Sequence, residues 1–244
     1  MSLCLMYHNF VEHESDKTRF EPAHRRYAIT RADFLAHLDI AAQLGWRFMT
    51  PDDLADEKTV ADPCALLLTF DDSWQEHLWA ASALTKRGIR ALFFLNSGYL
   101  GQPGMLDAAA VREMVALGHE IGSHGVTHDF FNSLDDAALR STLMDSKASL
   151  ETTCGRPIRY LSLPGGRLDN RTARFAKAAG YAAVFTSRPG FLDPAPKRFL
   201  LNRLPITADI TPERFKRLLR SPLAAVALGR ILYGVASMSR MIRR

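Results

Sequence analysis

Two acids and two histidines stand at spacings that could bind a metal ion. Asp71 and Asp72 follow the apolar run 65–68, and His124 and His128, four residues apart, follow another short strand-like segment. Two imidazoles and one carboxylate make a three-ligand set that leaves positions open for water and substrate, as expected of catalytic zinc. One carboxylate is left over for proton transfer. The four residues therefore predict metal-dependent hydrolysis.

Their position sets Asp71 and Asp72 apart from the other two Asp-Asp pairs of the chain. The pairs at 52–53 and 135–136 lie in the first turns of predicted helices, where the helix dipole favours acids. Asp71 and Asp72 instead end an apolar strand, where two carboxylates cost free energy unless a cation or a hydrogen-bond donor compensates. We therefore predict a cationic partner for this pair.

The hydrophobic pattern predicts the elements that position these residues. Short apolar segments typical of strands occur at 3–7, 46–49, 65–70, 91–95, 120–122, 158–163 and 182–186, with amphipathic helical patterns between them. This alternation predicts parallel strands, in a doubly wound sheet or a (β/α) barrel. Seven strands favour an incomplete barrel in a single α/β domain.

In either fold, the loops that follow the strands build the active site at one face. Polar or conformationally permissive residues follow four of the predicted strands: His8; Asp71 and Asp72; His124 and His128; Pro164, Gly165 and Gly166. We expect these four segments to meet at one end of the sheet. The charged run 9–27, which lacks periodicity, is either a cover for that face or a solvated loop.

The net charge of +5 is unevenly distributed along the 244 residues. From residue 211 onward there are eight Arg or Lys and one Glu, so the rest of the chain is slightly negative. A nucleic-acid enzyme would spread its basic residues along the catalytic body, so we expect no nucleic-acid partner. The sequence therefore divides into a barrel at 1–210 and a basic amphipathic C-terminal tail at 211–244.

Three scattered cysteines without metal-type spacing argue against a disulfide framework. No basic segment followed by a long apolar stretch opens the chain. Both features favour the cytoplasm.

The motifs resemble those of a known family. Thr69-Phe70-Asp71-Asp72 and the hexapeptide at 123–128 are similar to the first two motifs of the polysaccharide deacetylases of carbohydrate esterase family 4. Further similarities lie at 6–8, 118–123, 155–157 and 203–206. The resemblance implies a deformed (β/α)7-type barrel and a hydrolase of non-peptide carbon-nitrogen bonds, which removes acetyl from N-acetylated sugars.

The resemblance also implies roles for residues. Asp71 would be the general base, with Asp72, His124 and His128 as ligands of a divalent ion, zinc or a similar metal. Pro164 and Gly165 match the family's third motif, in which the residue after Pro donates a backbone N–H to the oxyanion. A plain turn is the alternative for this segment.

Several residues depart from the family pattern. Ser73 stands where Gly is usual, and Gly165 where an aromatic residue is usual. Ser162 replaces the Arg that orients the base, which leaves Arg167 and Arg171 as candidates for that task.

The usual acid motif is also missing near the C-terminus, and His8 is the candidate to replace it. In the poly-N-acetylglucosamine deacetylase branch of the family, a Tyr-His pair after the first strand supplies the acid, and Tyr7-His8 resembles that arrangement. The alternative is a histidine that merely ends a strand.

The apolar stretch 223–238, interrupted by Arg230, is too short and too charged for a confident membrane span. It suits an interfacial helix attracted to anionic lipid, at the inner face of the membrane, or a helix packed on the barrel. Membrane contact would fit a lipid-linked glycan substrate in glycan biosynthesis.

The sequence thus predicts a metal-dependent deacetylase of an N-acetylated saccharide or glycoconjugate. Two alternatives stay open: deformylation or another carbon-nitrogen hydrolysis on a related sugar, and a catalytically silent glycan-binding protein on the same fold.

Overall fold

The computed structural model describes residues 2–55, 64–192 and 199–242, with side chains as far as residue 234. The strands are β1 (Leu3–Tyr7), β2 (Phe10–Val11), β3 (Ile29–Thr30), β4 (Arg47–Phe48), β5 (Ala65–Asp71), β6 (Leu92–Leu95), β7 (Glu120–Ser123), β8 (Tyr160–Ser162), β9 (Ala183–Phe185), β10 (Leu200–Leu201) and β11 (Leu204–Pro205). The helices are α1 (Pro22–Arg25), α2 (Arg31–Gln43), α3 (His77–Thr85), α4 (Ala108–Ala116), α5 (Asp136–Cys154), α6 (Asn170–Ala178), α7 (Pro212–Arg220) and α8 (Pro222–Ile242). Single 3₁₀ turns lie at Glu14–Arg19, Pro51–Ala55, Ser97–Tyr99, Phe131–Ser133 and Pro164–Gly166.

The main sheet is parallel throughout, with the order β10-β9-β8-β7-β6-β5-β1-β11. Every residue of β1, β5 and β6 is buried, as expected when helices cover one face and the barrel interior the other. Continuous apolar runs such as Ala65-Leu66-Leu67-Leu68 satisfy both faces at once. The seven predicted strand segments all contain strands, and the predicted deformed (β/α)7-type barrel is confirmed.

The seventh strand of the barrel is one that the hydrophobic pattern did not predict. The stretch 200–205 pairs with β9 at its start, through Leu200 and Leu201, and with β1 at its end, through Leu204 and Pro205. It therefore bridges β9 and β1 and closes the barrel. The predicted strand at 46–49 is instead the short β4, which pairs only with the first two residues of β5.

Side-chain caps fix where the helices start. Thr30 accepts a hydrogen bond from the Asp33 N–H at the start of α2, and Asp135 and Asp169 cap α5 and α6 in the same way. Gly155 ends α5 in the left-handed conformation, with φ 66°. These local signals set the residues at which the crossover helices begin and end.

The basic C-terminal segment forms two helices. Helix α7 packs against α2: Phe215 is buried and its ring lies 4.2 Å from that of His37, measured between centroids. Helix α8 touches the barrel through buried Val226 and through Arg230, whose Nε donates to the Pro189 carbonyl at 3.1 Å. The boundary at residue 210 stays a prediction. Within the residues that the structure describes, none of the helices has the length and apolar character needed to cross a membrane.

Candidate active site

Loops at the carboxyl ends of β5 and β7 bring three of the predicted site residues together. Asp72 Oδ1 lies 3.3 Å from His124 Nε2 and 3.4 Å from His128 Nε2. One ligand atom from each of the three residues lies within 4.8 Å of the others. The predicted ligand set is therefore assembled in space, although Asp72 lies more than fifty positions before the two histidines in the sequence.

Unusual backbone geometry turns Asp72 toward the histidines. Asp72 has φ 85° and Ser73 has φ 62°, in the region that side chains other than glycine rarely adopt. Ser73 therefore adopts the left-handed conformation that the family's usual Gly would enter without strain. Its Oγ accepts a hydrogen bond from the Asn96 backbone N–H at 2.7 Å, which anchors the turn.

Asn96 also holds the histidine loop. Its Nδ2 donates to the carbonyl of His124 at 2.7 Å and to the carbonyl of Thr127 at 3.0 Å. Tyr99 adds a third anchor, because its hydroxyl accepts from the His128 backbone N–H at 3.1 Å. One asparagine side chain and its own N–H thus tie the Asp72 turn to the loop that carries both histidines.

The donor set fits a divalent metal ion. Asp72 Oδ1 and His124 Nε2 are buried and have no hydrogen-bond partner among the described residues, a costly state unless a cation compensates. His124 Nδ1 lies 3.0 Å from the Ser162 carbonyl, which can only accept, so Nδ1 carries a proton and Nε2, which faces Asp72, is the nitrogen left to bind an ion. Two imidazoles and a carboxylate suit zinc.

The charges of the trio reinforce this arrangement. Burial by itself would raise the pKa of Asp72, but the contact with His124 and the charges of His8, His124 and His128 hold it well below its usual value. Burial lowers the pKa of His128, which favours the neutral, ligating form of that ring. Asp72 is therefore an anion facing imidazole nitrogens.

Asp71 has a different environment from its neighbour. Arg203 clamps its carboxylate with two hydrogen bonds, Nη1 to Oδ1 at 2.7 Å and Nη2 to Oδ2 at 2.8 Å, and is itself completely buried. Ser162 donates through Oγ to Oδ2 at 3.0 Å and accepts from Arg203 Nη2 at 2.7 Å. Burial would raise the pKa of Asp71, yet the Arg203 guanidinium outweighs it and keeps the pKa below its usual range.

Arg203 is the functional residue that the sequence argument did not identify. It lies between β10 and β11 and reaches across the barrel to β5, where its Nη1 also donates to Thr69 Oγ1. Its Nε donates to the Thr186 carbonyl, directly after β9. The small Ser162, in the place of the family Arg, completes this contact. In the sequence, the segment 203–206 is distinguished only by its similarity to the family. The available signal for Arg203 is a lone arginine within a mostly apolar stretch.

The two candidates for orienting Asp71 were wrong. Arg171 pairs with Asp136 and Asp169 at the surface, near the start of α6. The guanidinium of Arg167 stacks on the ring of Phe130 at 3.6 Å. Both follow β8 in the sequence, but the strand that closes the barrel supplies the arginine instead.

His8 lies at the carboxyl end of β1, on the same face. Its ring packs on Tyr27 with 4.3 Å between centroids, and its backbone carbonyl lies 2.7 Å from His77 Nε2. Its Nδ1 is buried and has no hydrogen-bond partner among the described residues. Burial lowers the pKa of His8, and the charges of Asp72 and Asp71 oppose that shift. Its role as the acid stays a prediction.

The turn after β8 accounts for one departure from the family pattern. Gly165 has φ 61°, and a Cβ at this position would come within 2.5 Å of the Phe130 ring. The space that an aromatic residue at 165 would need is thus taken by Phe130, from the loop that carries His128. The predicted oxyanion role of Pro164 and Gly165 stays a prediction.

Comparisons with known proteins agree with the geometry. A family model described as polysaccharide deacetylase matches residues 58–184, just over half of the chain. The chain is 26% identical over 192 residues to YxkH of Bacillus subtilis (strain 168), which is named for the same family, with 77% of this chain and 68% of that protein covered.

A second relative carries a more specific name. The peptidoglycan-N-acetylglucosamine deacetylase of Bacillus cereus is 31% identical over 77 residues, which are 32% of this chain and 36% of that protein. The chain therefore spans only about a third of that relative's length.

Among solved structures, the Streptococcus pyogenes deacetylase PplD in complex with acetate shares the fold. Its TM-score is 0.77 at 21% identity, with 89% of this chain and 97% of that chain covered. At this identity the likeness shows a shared fold over most of the chain.

Proposed function

Because this chain belongs to the polysaccharide deacetylase family, we propose that it hydrolyses the N-acetyl group of a sugar within a polysaccharide or glycoconjugate, with the help of a divalent metal ion. The protein is a hydrolase of non-peptide carbon-nitrogen bonds. The observation that carries the proposal is the difference between two adjacent carboxylates. Asp71 is held ionised by Arg203, whereas Asp72 faces two histidines through an oxygen that has no hydrogen-bond partner among the described residues.

Asp72, His124 and His128 would hold the ion. When bound there, a divalent ion supplies a Lewis acid for the acetyl carbonyl and acidifies a water molecule. Zinc is the metal that we propose, because the donor set is two nitrogens and one oxygen.

The residues of the chain carry out the proton transfers. Asp71, free of the ion and ionised, accepts a proton as water adds to the acetyl carbonyl carbon. The backbone N–H of Gly165 would stabilise the oxygen that becomes negative. The carbon-nitrogen bond then breaks, and His8 would deliver a proton to the sugar nitrogen, leaving acetate and a free amine.

The family and the second relative's name, which specifies N-acetylglucosamine in peptidoglycan, support the proposed substrate class. We propose an N-acetylated saccharide, with a lipid-linked glycan as the more specific form. We also keep the cytoplasm, at the inner face of the membrane, as the proposed location.

Acetate release tests the function. Purified full-length chain would be incubated with N-acetylglucosamine oligomers and with N-formyl analogues, with and without added zinc, and Asp71→Asn would be the control. Release of acetate that depends on zinc and on Asp71 supports the proposal. Release of formate alone would replace it with deformylation, and sugar binding without any release would indicate a silent glycan-binding protein.

The role of His8 needs its own test. If His8 protonates the leaving amine, His8→Ala should keep full metal content and substrate binding but lose roughly 10²- to 10⁴-fold in turnover, with the basic limb of the pH profile altered. Wild-type turnover and an unchanged pH profile in His8→Ala would show that another group donates this proton.

A further inference from the structure

Helix α8 carries most of the exposed large apolar side chains in the part of the chain that the structure describes. Among the described residues, five large apolar side chains are strongly exposed, and four of them lie on α8: Leu223, Leu228, Ile231 and Leu232, each about 60% accessible. Only Met144 lies elsewhere. Single exposed apolar residues are ordinary on a protein surface, but a cluster of four on one helix marks an interaction surface.

The cluster occupies one side of the helix. At 100° per residue, Leu223, Ala224, Ala227, Leu228, Ile231 and Leu232 fall within half of the helical circumference, and we call this set the apolar face of α8. The opposite side meets the barrel, through buried Val226 and through Gly229, where a Cβ would lie 2.9 Å from Pro189. The helix is thus docked on the barrel by one side and presents its other side to solvent.

The charged residues that flank α8 in the sequence are mostly basic. Lys216, Arg217 and Arg220 on α7 are exposed and precede α8 directly. No Asp or Glu follows Glu213 in the sequence, whereas Arg240, Arg243 and Arg244 lie at the other end. An exposed apolar stripe in a segment whose charged residues after Glu213 are all basic complements a surface that is apolar inside and anionic outside.

We propose that the apolar face of α8 binds the surface of an anionic lipid bilayer. The helix would lie along the interface, with its leucines and isoleucine between the acyl chains and its basic neighbours among the phosphates. The charge pattern favours lipid over a second copy of the chain, because a symmetric dimer through this face would bring two uniformly positive segments together. This surface is independent of the proposed hydrolase chemistry.

Vesicle sedimentation tests the proposal on the full-length chain. We expect binding to vesicles of phosphatidylcholine mixed with phosphatidylglycerol, and little binding to phosphatidylcholine alone. The double variant Leu228→Glu with Ile231→Glu should bind at least ~10-fold more weakly, because two charges enter the apolar face. The matched control is Met144→Glu, which changes an equally exposed apolar residue on α5 and should bind like the wild type.

The basic residues give a second measurement. Arg217→Glu with Arg220→Glu should weaken binding to the anionic vesicles, by roughly fivefold for each basic residue removed, and added salt should have the same direction of effect. All variants should keep the wild-type thermal transition, since the altered side chains are exposed.

Two results would overturn the proposal. One is equal sedimentation of the Leu228→Glu and Ile231→Glu double variant and the wild type. The other is a wild-type chain that binds neither vesicle type but forms a dimer in sedimentation velocity, with the dimer absent in the double variant. That result would assign the face to a second copy of the chain.

Discussion

Two adjacent residues, Asp71 and Asp72, define two halves of the site with opposite character. On the Asp71 half, each carboxylate oxygen receives a hydrogen bond from Arg203, and Ser162 adds another. On the Asp72 half, Oδ1 is buried without a hydrogen-bond partner among the described residues and faces two imidazole nitrogens. One backbone step separates a fully paired anion from an unpaired one.

The difference matches what the proposed mechanism requires of one peptide segment that supplies both a base and a metal ligand. A base must be ionised yet keep away from the ion, and the Arg203 clamp does both, because its two hydrogen bonds hold the plane of the Asp71 carboxylate. A ligand must keep an oxygen lone pair free, and the positive φ of Asp72 turns its oxygen toward the histidines. Variants in the two halves should therefore fail in different ways.

The largest effect is expected on the Asp72 half. Asp72→Ala, His124→Ala and His128→Ala should each abolish stoichiometric metal binding and all measurable activity, because a three-ligand site does not tolerate the loss of one arm. Elemental analysis of the purified variants measures the metal, with His13→Ala, a surface histidine, as the control. Full zinc content in all three variants would remove the proposed metal site.

The next effect separates the two halves. Asp71→Asn should retain metal but lose activity by a factor on the order of 10² or more, because an amide cannot accept the proton from water. The asparagine offers Arg203 only one acceptor oxygen and leaves its buried guanidinium without a counter-charge, so the thermal transition should also fall, and metal content is measured on the folded variant. Loss of metal in this variant would show that Asp71 is a ligand and that the two halves are not distinct.

A smaller effect tests the clamp itself. Arg203→Lys keeps the positive charge but cannot donate two parallel hydrogen bonds to Asp71, so we expect a roughly 10-fold fall in kcat with unchanged metal content. The control is Arg171→Lys, which alters an arginine of the surface pairs with Asp136 and Asp169. A kcat unaffected by Arg203→Lys would mean that charge alone, without orientation, suffices for Asp71.

The smallest effect concerns the third donor to Asp71. Ser162→Ala removes two hydrogen bonds, the one to Asp71 and the one from Arg203, while Arg203 still pairs both Asp71 oxygens, so the expected loss is about 2 kcal/mol of stability and a few-fold in kcat. Chemical denaturation and steady-state kinetics would measure both, with Ser149→Ala on the exposed side of α5 as the control. A loss as large as that of Asp71→Asn would show that Ser162, rather than Arg203, controls the base.

Local sequence determined the strands and placed the three candidate metal ligands. Continuous apolar runs predicted seven strands, and residues directly after a strand must lie at its carboxyl end whatever the topology. Asp72, His124 and His128 could therefore be placed on one face without a structure. The departures at Ser73 and Gly165 were also visible in the sequence, but the reasons for them, a left-handed turn at Ser73 and the Phe130 ring against Gly165, were not.

Tertiary structure alone decided what holds Asp71. Arg203 lies 132 residues after Asp71, on a stretch too short and too interrupted to be recognised as a strand. It meets Asp71 only because residues 200–205 close the barrel between β9 and β1. Strand β1 in turn pairs with β5, which ends at Asp71. The periodicity of apolar residues indicates which face of an element is buried. Which strand lies beside it depends on closure of the whole sheet. The partner of a buried charge is therefore decided by contacts between residues that are distant in the sequence.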